Sequence, residues 1–461
     1  MELQTCDKNC DKIIKQKNKM FCLMERLFPV FKRTIFKIKF KHVSILFIIL
    51  MTSQFFGLFT HIFEVSFEDN FSYPYDGDVS SSVEALKHNK NPEITPINYY
   101  NYTYISEIKE HCVDNDYHTL RIIFIVKSAI NHFERRSAIR NSWGHKKRFF
   151  DVPTRTVFLL GINPNIDKLS QLKLDEEIKK YKDIVQANFI DTYYNNTIKT
   201  MIGLKWAVNY CSNSKFYMFV DDDIYVSVKN VLRFIRNPTS YPDYLQDPSR
   251  LGGPRKREIS ESYVPNYNYR LPNNNNNNYN DTTNETNTNY QRHQYRLNDT
   301  LINISSNDNN NSNNNSNRNL IRNRRQVFDF ELPSDVILFA GYVFVSSPHR
   351  YKSSKWYVSL DEYKYDMWPP YVTAGAYILS KEALIDMYYT SYYTKHFRFD
   401  DIYLGLVAKK AGIEPFHCDE FHFYKKEYTK YNYKYVITSH GYGDPGELMQ
   451  VWNEQKSLGN A

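Results

Sequence analysis

The sequence predicts an α/β domain built on a parallel sheet, preceded by one apolar segment near the N-terminus. From residue 120 onward, short β-branched and aromatic runs alternate with helical segments, a pattern typical of parallel strands that are covered by helices on both faces. About 270 residues carry this pattern, which is enough for one large domain. In such sheets the ligand site lies outside the carboxyl ends of the strands.

The predicted elements follow one another in order. The run at 120–126 is a strand, because it consists largely of Ile, Val, Leu and Phe. Periodicity then predicts helix 134–143, strand 156–160, helix 167–180, strand 184–189, helix 195–210 and a strand that ends at three aspartates. A strand and helix pattern resumes at 336–345 and continues to the end of the chain.

Residues 43–63 form one stretch without Lys, Arg, Asp or Glu, and its 21 residues are enough to cross a bilayer as a helix. Eleven Lys or Arg residues precede it, which predicts that the tail at 1–42 is cytosolic and that the rest of the chain is lumenal. A cleavable signal peptide is the alternative, but 42 preceding residues are long for one. The segment is therefore predicted to be an uncleaved type II signal anchor.

Two other regions differ in composition from the periodic domain at 118–461. Residues 64–117 are polar and weakly periodic, which is typical of a stem. Residues 246–326 are rich in Asn, Ser, Thr and Tyr, and they include six consecutive Asn at 273–278. Such a composition cannot bury enough apolar area to become ordered, so we predict a disordered insertion within one domain.

The net charge and the cysteines limit the function classes. Much of the formal charge of +8 lies in the N-terminal tail and in the basic patch at 318–325, and no helix-turn-helix, zinc-finger or RNP pattern accompanies it. A nucleic-acid partner is therefore not expected. Cys112, Cys211 and Cys418 lie on the predicted lumenal side, where they permit one disulfide and one free thiol, and the sequence does not choose the pair.

The most informative motif is the aspartate triplet that ends an apolar strand. Alternation along a strand puts Asp221 and Asp223 on one face and Asp222 on the other. Two hard oxygen ligands at the carboxyl end of a strand suit a divalent ion such as Mn²⁺ or Mg²⁺ that also holds a diphosphate. A solvated acidic turn is the alternative interpretation.

Five ordered motifs resemble those of glycosyltransferase family 31, the β1,3-galactosyltransferase and β1,3-N-acetylglucosaminyltransferase family with a GT-A fold. They are 135–144 (RRSAIRNSWG), 191–200 (DTYYNNTIKT), the triplet at 221–223, 368–377 (WPPYVTAGAY) and 400–405 (DDIYLG). The resemblance covers residues 120 to 450 apart from the Asn-rich insertion. Within the family, segments 353–357 and 397–403 look closest to the invertebrate brainiac type.

The resemblance implies a UDP-sugar donor, a Mn²⁺ cofactor and a metal-contacting histidine. We assign the metal to Asp221, Asp223 and His440, with His417 and His422 as alternatives to the histidine. The donor is expected to contact Asp221 and Asp222 as well.

A general base must face the acceptor hydroxyl, because inversion requires in-line attack. The resemblance assigns this role to Asp401. Asp400 stands where the family has Glu, which shortens that side chain. Without the resemblance, an acidic helix N-terminus would be the preferred interpretation of this pair.

Further residues are assigned to donor binding. Arg136 and Arg140 lie four apart on one helical face, suited to a diphosphate or to an acidic loop, with surface salt bridges as the alternative. Asp191 is expected to accept hydrogen bonds from uracil or ribose, and Lys199 to offset phosphate charge.

Two residues of the WPPYVTAGAY motif complete the predicted donor site. Trp368 is expected to stack on a sugar ring, with core packing as the alternative. Gly375 would let the donor sugar approach the backbone closely.

The resemblance therefore implies a Golgi type II membrane enzyme that forms a β1,3 linkage on a glycolipid or glycoprotein glycan. N-acetylglucosamine is the sharper expectation for the sugar, and galactose is the alternative. A glycan-binding or scaffold protein that kept the fold without turnover is the alternative from another class. The oligomeric state stays open, with a homodimer as one possibility.

Overall fold

The computed structural model describes residues 40–73, 77–112, 119–145, 152–246, 332–333 and 335–461. The predicted insertion at 246–326 and the predicted tail at 1–42 therefore lie almost entirely outside the described residues. The chain divides into two compact units, one of residues up to Phe71 together with Ser347–Met367, and the other of Ser72–Ser346 together with Trp368–Ala461.

The smaller unit contains the apolar N-terminal segment, which forms helices rather than one long span. These are α1 (Phe40–Phe55), α2 (Leu58–Ile62) and α3 (Phe67–Asn70). Gly57 separates the first two with a φ of 75°, a conformation that favours glycine. Within the described ranges, no helix has both the length and the hydropathy needed to cross a membrane.

Arg350 organises the rest of the smaller unit. Its side chain is buried and donates a 2.6 Å hydrogen bond to Glu64 and further bonds to four carbonyl oxygens. The cation is therefore fully used in ordering this loop.

The larger unit contains two sheets. Its strands are β1 (Tyr104–Ser106), β2 (Leu120–Lys127), β3 (Thr154–Ile162), β4 (Ile184–Ile190), β5 (Ser214–Asp221), β6 (Tyr225–Val226), β7 (Phe339–Phe344), β8 (Tyr371–Ser380), β9 (Pro415–His417), β10 (Phe421–His422) and β11 (Thr438–Ser439). Eight form one sheet in the order β1-β4-β3-β2-β5-β8-β7-β9, and three form a small sheet in the order β10-β11-β6. Strands β4, β3, β2 and β5 are parallel, whereas β8 runs antiparallel to β5.

Nine α-helices and several short 3₁₀ turns are described in this unit. The helices are α4 (Ser80–Lys87), α5 (Phe133–Asn141), α6 (Lys168–Tyr181), α7 (Asn196–Tyr210), α8 (Val228–Phe234), α9 (Asp243–Gln246), α10 (Lys381–Thr390), α11 (Asp400–Lys410) and α12 (Pro445–Ser457). The 3₁₀ turns are Lys109–Cys112, Tyr193–Asn195, Pro238–Ser240 and Ser391–Tyr393. The side chain of Asp167 caps α6 and that of Ser380 caps α10, each by accepting from a backbone amide.

Helices cover both faces of the parallel strands, as the sequence predicts. Phe124 of β2 belongs to a buried cluster with Ile139 of α5 and Leu174 of α6. On the opposite face, a Cβ at Gly203 of α7 would lie 2.8 Å from side-chain atoms of Leu159 on β3 and Phe219 on β5, so the helix packs tightly on these strands. The predicted mixed α/β class with a large central sheet is therefore confirmed.

Much of the segment 64–117, which the sequence predicts to be a stem, belongs to the larger unit. Strand β1 pairs with β4 at the edge of the sheet, and Cys112 forms a disulfide with Cys211. Asn98 also donates a 2.8 Å hydrogen bond to the carbonyl of Ser391. A three-residue strand is too short to show a period, which explains why the sequence pattern missed it.

Candidate active site

The site is built where β2 and β5 end. The two strands are parallel neighbours, and Lys127 at the end of β2 lies in register with Asp221 at the end of β5. Parallel strands present their carboxyl ends at one edge, so a cation and the acidic triplet meet there.

Lys127 is the residue that the sequence analysis missed. Its buried ammonium lies 3.0 Å from Asp221 Oδ1 and 2.9 Å from Asp400 Oδ2, and it donates a 3.1 Å hydrogen bond to the carbonyl of Ala374. Burial disfavours the charged amine, but the two carboxylates outweigh it and raise the pKa of Lys127. One buried cation thus joins the triplet to the start of α11.

Asp221 and Asp222 are both held by protein groups. Burial raises the pKa of Asp221 to about 6 even though Lys127 opposes the rise. Asp222 accepts hydrogen bonds from Ser128 Oγ at 2.6 Å and Arg135 Nη1 at 2.9 Å, and it lies 2.7 Å from His132 Nδ1. Burial works against ionisation of Asp222, but these partners lower its pKa. The carboxylate is thus buried and used within the protein, and its donor contact stays a prediction.

Asp223 is the member of the triplet with a spare oxygen. Its Oδ1 is buried and has no hydrogen-bond partner, and its Oδ2 lies 3.5 Å from His440 Nε2. Two backbone bonds hold this pair together, from the Tyr442 amide to the Asp223 carbonyl at 2.8 Å and from the His440 amide to the His422 carbonyl at 3.1 Å. A buried carboxylate oxygen without a partner is costly unless something occupies it.

The donor set at Asp223 and His440 fits a divalent ion such as Mn²⁺, which accepts carboxylate and imidazole ligands. Among the described residues, no three His, Cys, Asp or Glu side chains converge into a larger metal set. The structure thus brings two of the three predicted ligands together, while Asp221 faces Lys127 instead.

The alternative histidines have other partners. His417 Nδ1 accepts from the amide of Val343 at 3.1 Å, and its Nε2 lies 2.9 Å from Asp419. His422 Nε2 lies 3.1 Å from Lys426 Nζ.

Arg135 ties the histidine-bearing turn to the triplet. Its Nε donates a 3.0 Å hydrogen bond to the carbonyl of Gly443 while its Nη1 holds Asp222. A Cβ at Gly443 would lie 2.7 Å from Arg135 Nη2, so a larger residue there would displace the guanidinium. One guanidinium therefore fixes the position of the turn that carries His440.

The other acidic residues of the site are Asp400 and Asp401, the first two residues of α11. Asp400 is buried and bound by Lys127, by Asn196 Nδ2 at 3.2 Å and by Thr200 Oγ1 at 3.1 Å. Asp401 is partly exposed and accepts a 2.8 Å hydrogen bond from the amide of Ile402. Burial, followed by the charge of Asp400, raises the pKa of Asp401 to about 7. Asp401 is thus suited to accept a proton near neutral pH.

Arg136 and Arg140 pair with carboxylates of the protein, and their role in donor binding stays a prediction. The buried guanidinium of Arg136 donates to Glu177, with a shortest distance of 2.6 Å. Arg140 binds Glu177 at 2.6 Å and Asp183 at 2.7 and 2.8 Å. Helical spacing showed that the two arginines share a face, but it could not show that the face packs against α6.

Asp191 and Lys199 are paired with each other rather than aimed at a ligand. Lys199 Nζ lies 2.7 Å from Asp191 Oδ1 and donates a 2.9 Å hydrogen bond to the carbonyl of Ser128. Asp191 Oδ2 also accepts from the amide of Gly161 at 3.0 Å. The ammonium of Lys199 is buried in these contacts, and its phosphate role stays a prediction.

Trp368 and Gly375 differ in their surroundings. Trp368 is 4 % exposed and packs edge-on against Phe397 with ring centroids 5.4 Å apart, so core packing replaces the predicted sugar stacking. A Cβ at Gly375 would meet only ordinary contacts, with Ile224 at 3.6 Å and His440 at 3.9 Å. Gly375 therefore borders the space beside the metal-ligand pair.

Comparison with known proteins gives one family. The Galactosyltransferase family model matches residues 134–302 and 330–419. Beta-1,3-galactosyltransferase brn of Drosophila melanogaster is 36 % identical over 90 % of this chain and 95 % of its own length. Beta-1,3-galactosyltransferase 1 of Homo sapiens is 24 % identical over 80 % of this chain and 82 % of its own.

Among solved structures, the apo WbbM bifunctional glycosyltransferase matches 75 % of this chain and 46 % of that chain, with a TM-score of 0.27 and 9 % identity, and this likeness carries no weight here. The family match covers more than half of the chain, and the brn relative is similar along nearly its whole length. The chain belongs to the Galactosyltransferase family.

Proposed function

We propose that the protein is an inverting β1,3-hexosyltransferase that uses a UDP-sugar and Mn²⁺ to extend a glycan. One observation carries the proposal: Lys127 binds both Asp221 of the triplet, in which Asp223 has a buried oxygen without a partner, and Asp400 at the helix start, where the pKa of the Asp401 carboxyl is about 7. A binding module has no need for both. The printed names of the relatives, which are β1,3-galactosyltransferases, support the reaction class.

Asp223 and His440 would hold the Mn²⁺, with Asp221 beside them. When bound, the ion would offset the negative charge that develops on the leaving diphosphate. Arg135 would keep His440 in position, and the missing side chain at Gly375 would let the donor sugar approach the backbone beside His440.

Asp401 would act as the general base. A carboxyl with a raised pKa accepts a proton more readily than an ordinary one, and it still has a large charged fraction near neutral pH. Asp400, neutralised by Lys127, would keep the start of α11 in place so that Asp401 faces the acceptor hydroxyl. Attack opposite to the leaving diphosphate gives inversion at the anomeric carbon.

The transferred sugar has two candidates. The names of the relatives favour galactose, while the likeness of segments 353–357 and 397–403 to the brainiac type favours N-acetylglucosamine on a glycolipid. A glycoprotein glycan is the other acceptor class.

We also propose a Golgi membrane location with a lumenal enzyme. The apolar segment 43–63 with its eleven preceding basic residues supports a type II anchor. The Cys112–Cys211 disulfide supports an oxidising compartment for the larger unit. A homodimer is compatible with these features.

The decisive experiment uses the full chain in detergent with Mn²⁺ and a panel of UDP-sugars, and it scores UDP release with and without glycosyl acceptors. We expect acceptor-stimulated release with one donor, loss of that release with EDTA, and a β1,3 linkage in the product by NMR. No release with any donor, from protein that shows cooperative unfolding, would favour the glycan-binding alternative.

A further inference from the structure

An exposed group of aromatic side chains lies beside the proposed site. It consists of Tyr342 and Phe344 on β7, Tyr371 on β8, and Phe423 and Tyr424 after β10, and we call it the aromatic platform. Phe423 is 39 % exposed and Tyr424 is 55 % exposed, and the other three are partly exposed. Rings that serve only the core would be buried, so an exposed set of this kind marks a contact surface.

The rings of the aromatic platform form one continuous row. Phe344 stacks on Tyr371, its partner across the β7–β8 pair, with centroids 5.9 Å apart and an interplanar angle of 24°. Phe423 contacts Phe344 and Tyr342, in each case with centroids 4.7 Å apart, and it contacts Tyr424 at 4.9 Å. Mutual packing holds the rings in fixed positions, so that little rotamer entropy would be lost on binding.

The aromatic platform runs from the proposed base to the proposed metal ligand. At one end, Tyr371 packs against Gly405, one turn along α11 from Asp401. Burial and the nearby charge of Asp401 raise the pKa of Tyr371 to about 12. At the other end, Phe423 follows His422, whose carbonyl accepts from the amide of His440. A molecule on this surface would therefore lie next to the elements that carry the proposed base and the proposed metal ligand.

We propose that the aromatic platform is the acceptor subsite and that it binds a neutral hexose of the acceptor glycan through ring faces. This proposal rests on the proposed function. A pyranose has a C–H face that leaves water favourably when it lies on an aromatic ring, and its hydroxyl groups stay hydrated at the rim. Three of the five rings are tyrosines. A sugar can keep the tyrosine hydroxyls hydrogen-bonded, whereas an alkyl chain would remove water from them without replacing the hydrogen bonds.

The test compares Phe423→Ala and Tyr424→Ala with the matched control Tyr431→Ala, since Tyr431 is 81 % exposed and outside the aromatic platform. The full chain is assayed in detergent with the methyl β-glycosides of mannose, galactose and N-acetylglucosamine, and with the octyl β-glycosides of the same sugars. For the methyl glycoside that is used, we expect each platform variant to raise the acceptor KM about tenfold. UDP release without acceptor and Mn²⁺-dependent UDP binding should stay unchanged, and the unfolding midpoint should stay above the assay temperature although lost ring packing lowers it.

An unchanged acceptor KM for the methyl glycoside would overturn the proposal. An effect confined to the octyl glycosides would overturn it in favour of a lipid chain as the ligand. A change in the oligomeric state of the platform variants would overturn it in favour of a second copy of this chain. If the unaltered protein turns over no donor, the proposed function fails and the subsite is tested by binding. Saturation-transfer NMR with the methyl glycosides should then show a signal that both platform variants lose. Equal signals in variants and control would contradict the subsite.

Discussion

The site contains two clusters of neighbouring carboxylates, one at the end of a strand and the other at the start of a helix. One is the triplet that ends β5, and the other is the pair that begins α11. In each cluster, protein groups bind the neighbouring carboxylates, and one carboxylate can still bind a ligand. In the triplet, Asp223 has a buried oxygen without a partner, and in the pair, Asp401 has a raised pKa. The two clusters differ in the ligand that each is suited to bind, which is a cation at Asp223 and a proton at Asp401.

Lys127 makes this division possible because it serves both clusters at once. It lies 3.0 Å from Asp221 and 2.9 Å from Asp400, the members that are not free. Without it, several buried carboxylates would repel one another and bind protons instead of a metal. The comparison therefore predicts different losses when each member is changed.

The largest loss is expected for Asp223→Asn. The amide cannot supply an anionic oxygen to the ion, so we expect transfer to fall by about a thousandfold or more at ordinary Mn²⁺ concentrations. The measurement is acceptor-stimulated UDP release over a Mn²⁺ titration. Recovery of full rate at millimolar Mn²⁺ would mean that Asp223 is a minor ligand.

Asp401→Asn should come next. Removal of the base leaves the donor site intact, so we expect kcat to fall about 10²–10⁴-fold, while the donor KM stays close to that of the unaltered protein. Steady-state kinetics in both substrates provide the check. A donor KM that rises together with the fall in kcat would contradict the role of base.

Lys127→Met tests the link between the clusters through stability. The buried Asp400 and the partly exposed Asp221 would lose their cation, so we expect about 3–5 kcal/mol of destabilisation at neutral pH. Lys425→Met is the matched control, because Lys425 forms an exposed 2.6 Å ion pair with Glu447 that is worth about 1 kcal/mol or less. Chemical denaturation measures both, and equal losses would refute a special role for Lys127.

Arg135→Met should weaken metal binding without removing a ligand. Gly443 and Asp222 would lose their shared donor, so we expect about 10–100-fold lower Mn²⁺ affinity, measured by electron paramagnetic resonance of free Mn²⁺. Arg233→Met is the control, since Arg233 bonds to Asn230 on α8. If both variants bind Mn²⁺ with equal affinity, the turn does not depend on Arg135.

The pH profile should show the smallest effect. Because burial and Asp400 raise the pKa of Asp401 to about 7, the base is protonated below that pH and charged above it. At fixed saturating Mn²⁺, kcat/KM should rise about tenfold per pH unit up to pH 7 and then level off. The residual rate of Asp401→Asn should lack this limb, and a limb of the same midpoint in the variant would assign it to another group.

The sequence predicted the elements better than the contacts between them. Strand β5 and the triplet stood out because apolar residues run directly into like charges, and helix α6 followed from its period. Arg136 and Arg140 were assigned to a diphosphate because a period shows a shared face but not its neighbour, which is Glu177. The short strand β1 had no period to detect.

Lys127 did leave a signal in the sequence. A lysine at the end of an otherwise buried apolar strand is unusual, and two parallel strands that end at one edge bring their last residues together. Pairing that lysine with the triplet would have predicted the ion pair with Asp221. The contact of Lys127 with Asp400 could not be predicted from the sequence, because it joins residues 273 positions apart.

The most direct measurement of the central claim is Mn²⁺-dependent UDP binding by the full chain, compared between Asp223→Asn and Asp401→Asn by calorimetry. If the two clusters divide the work as proposed, Asp223→Asn loses this binding, while Asp401→Asn binds as the unaltered protein does and fails only in transfer. Equal loss of UDP binding in both variants would contradict the division between a metal-holding and a proton-accepting cluster.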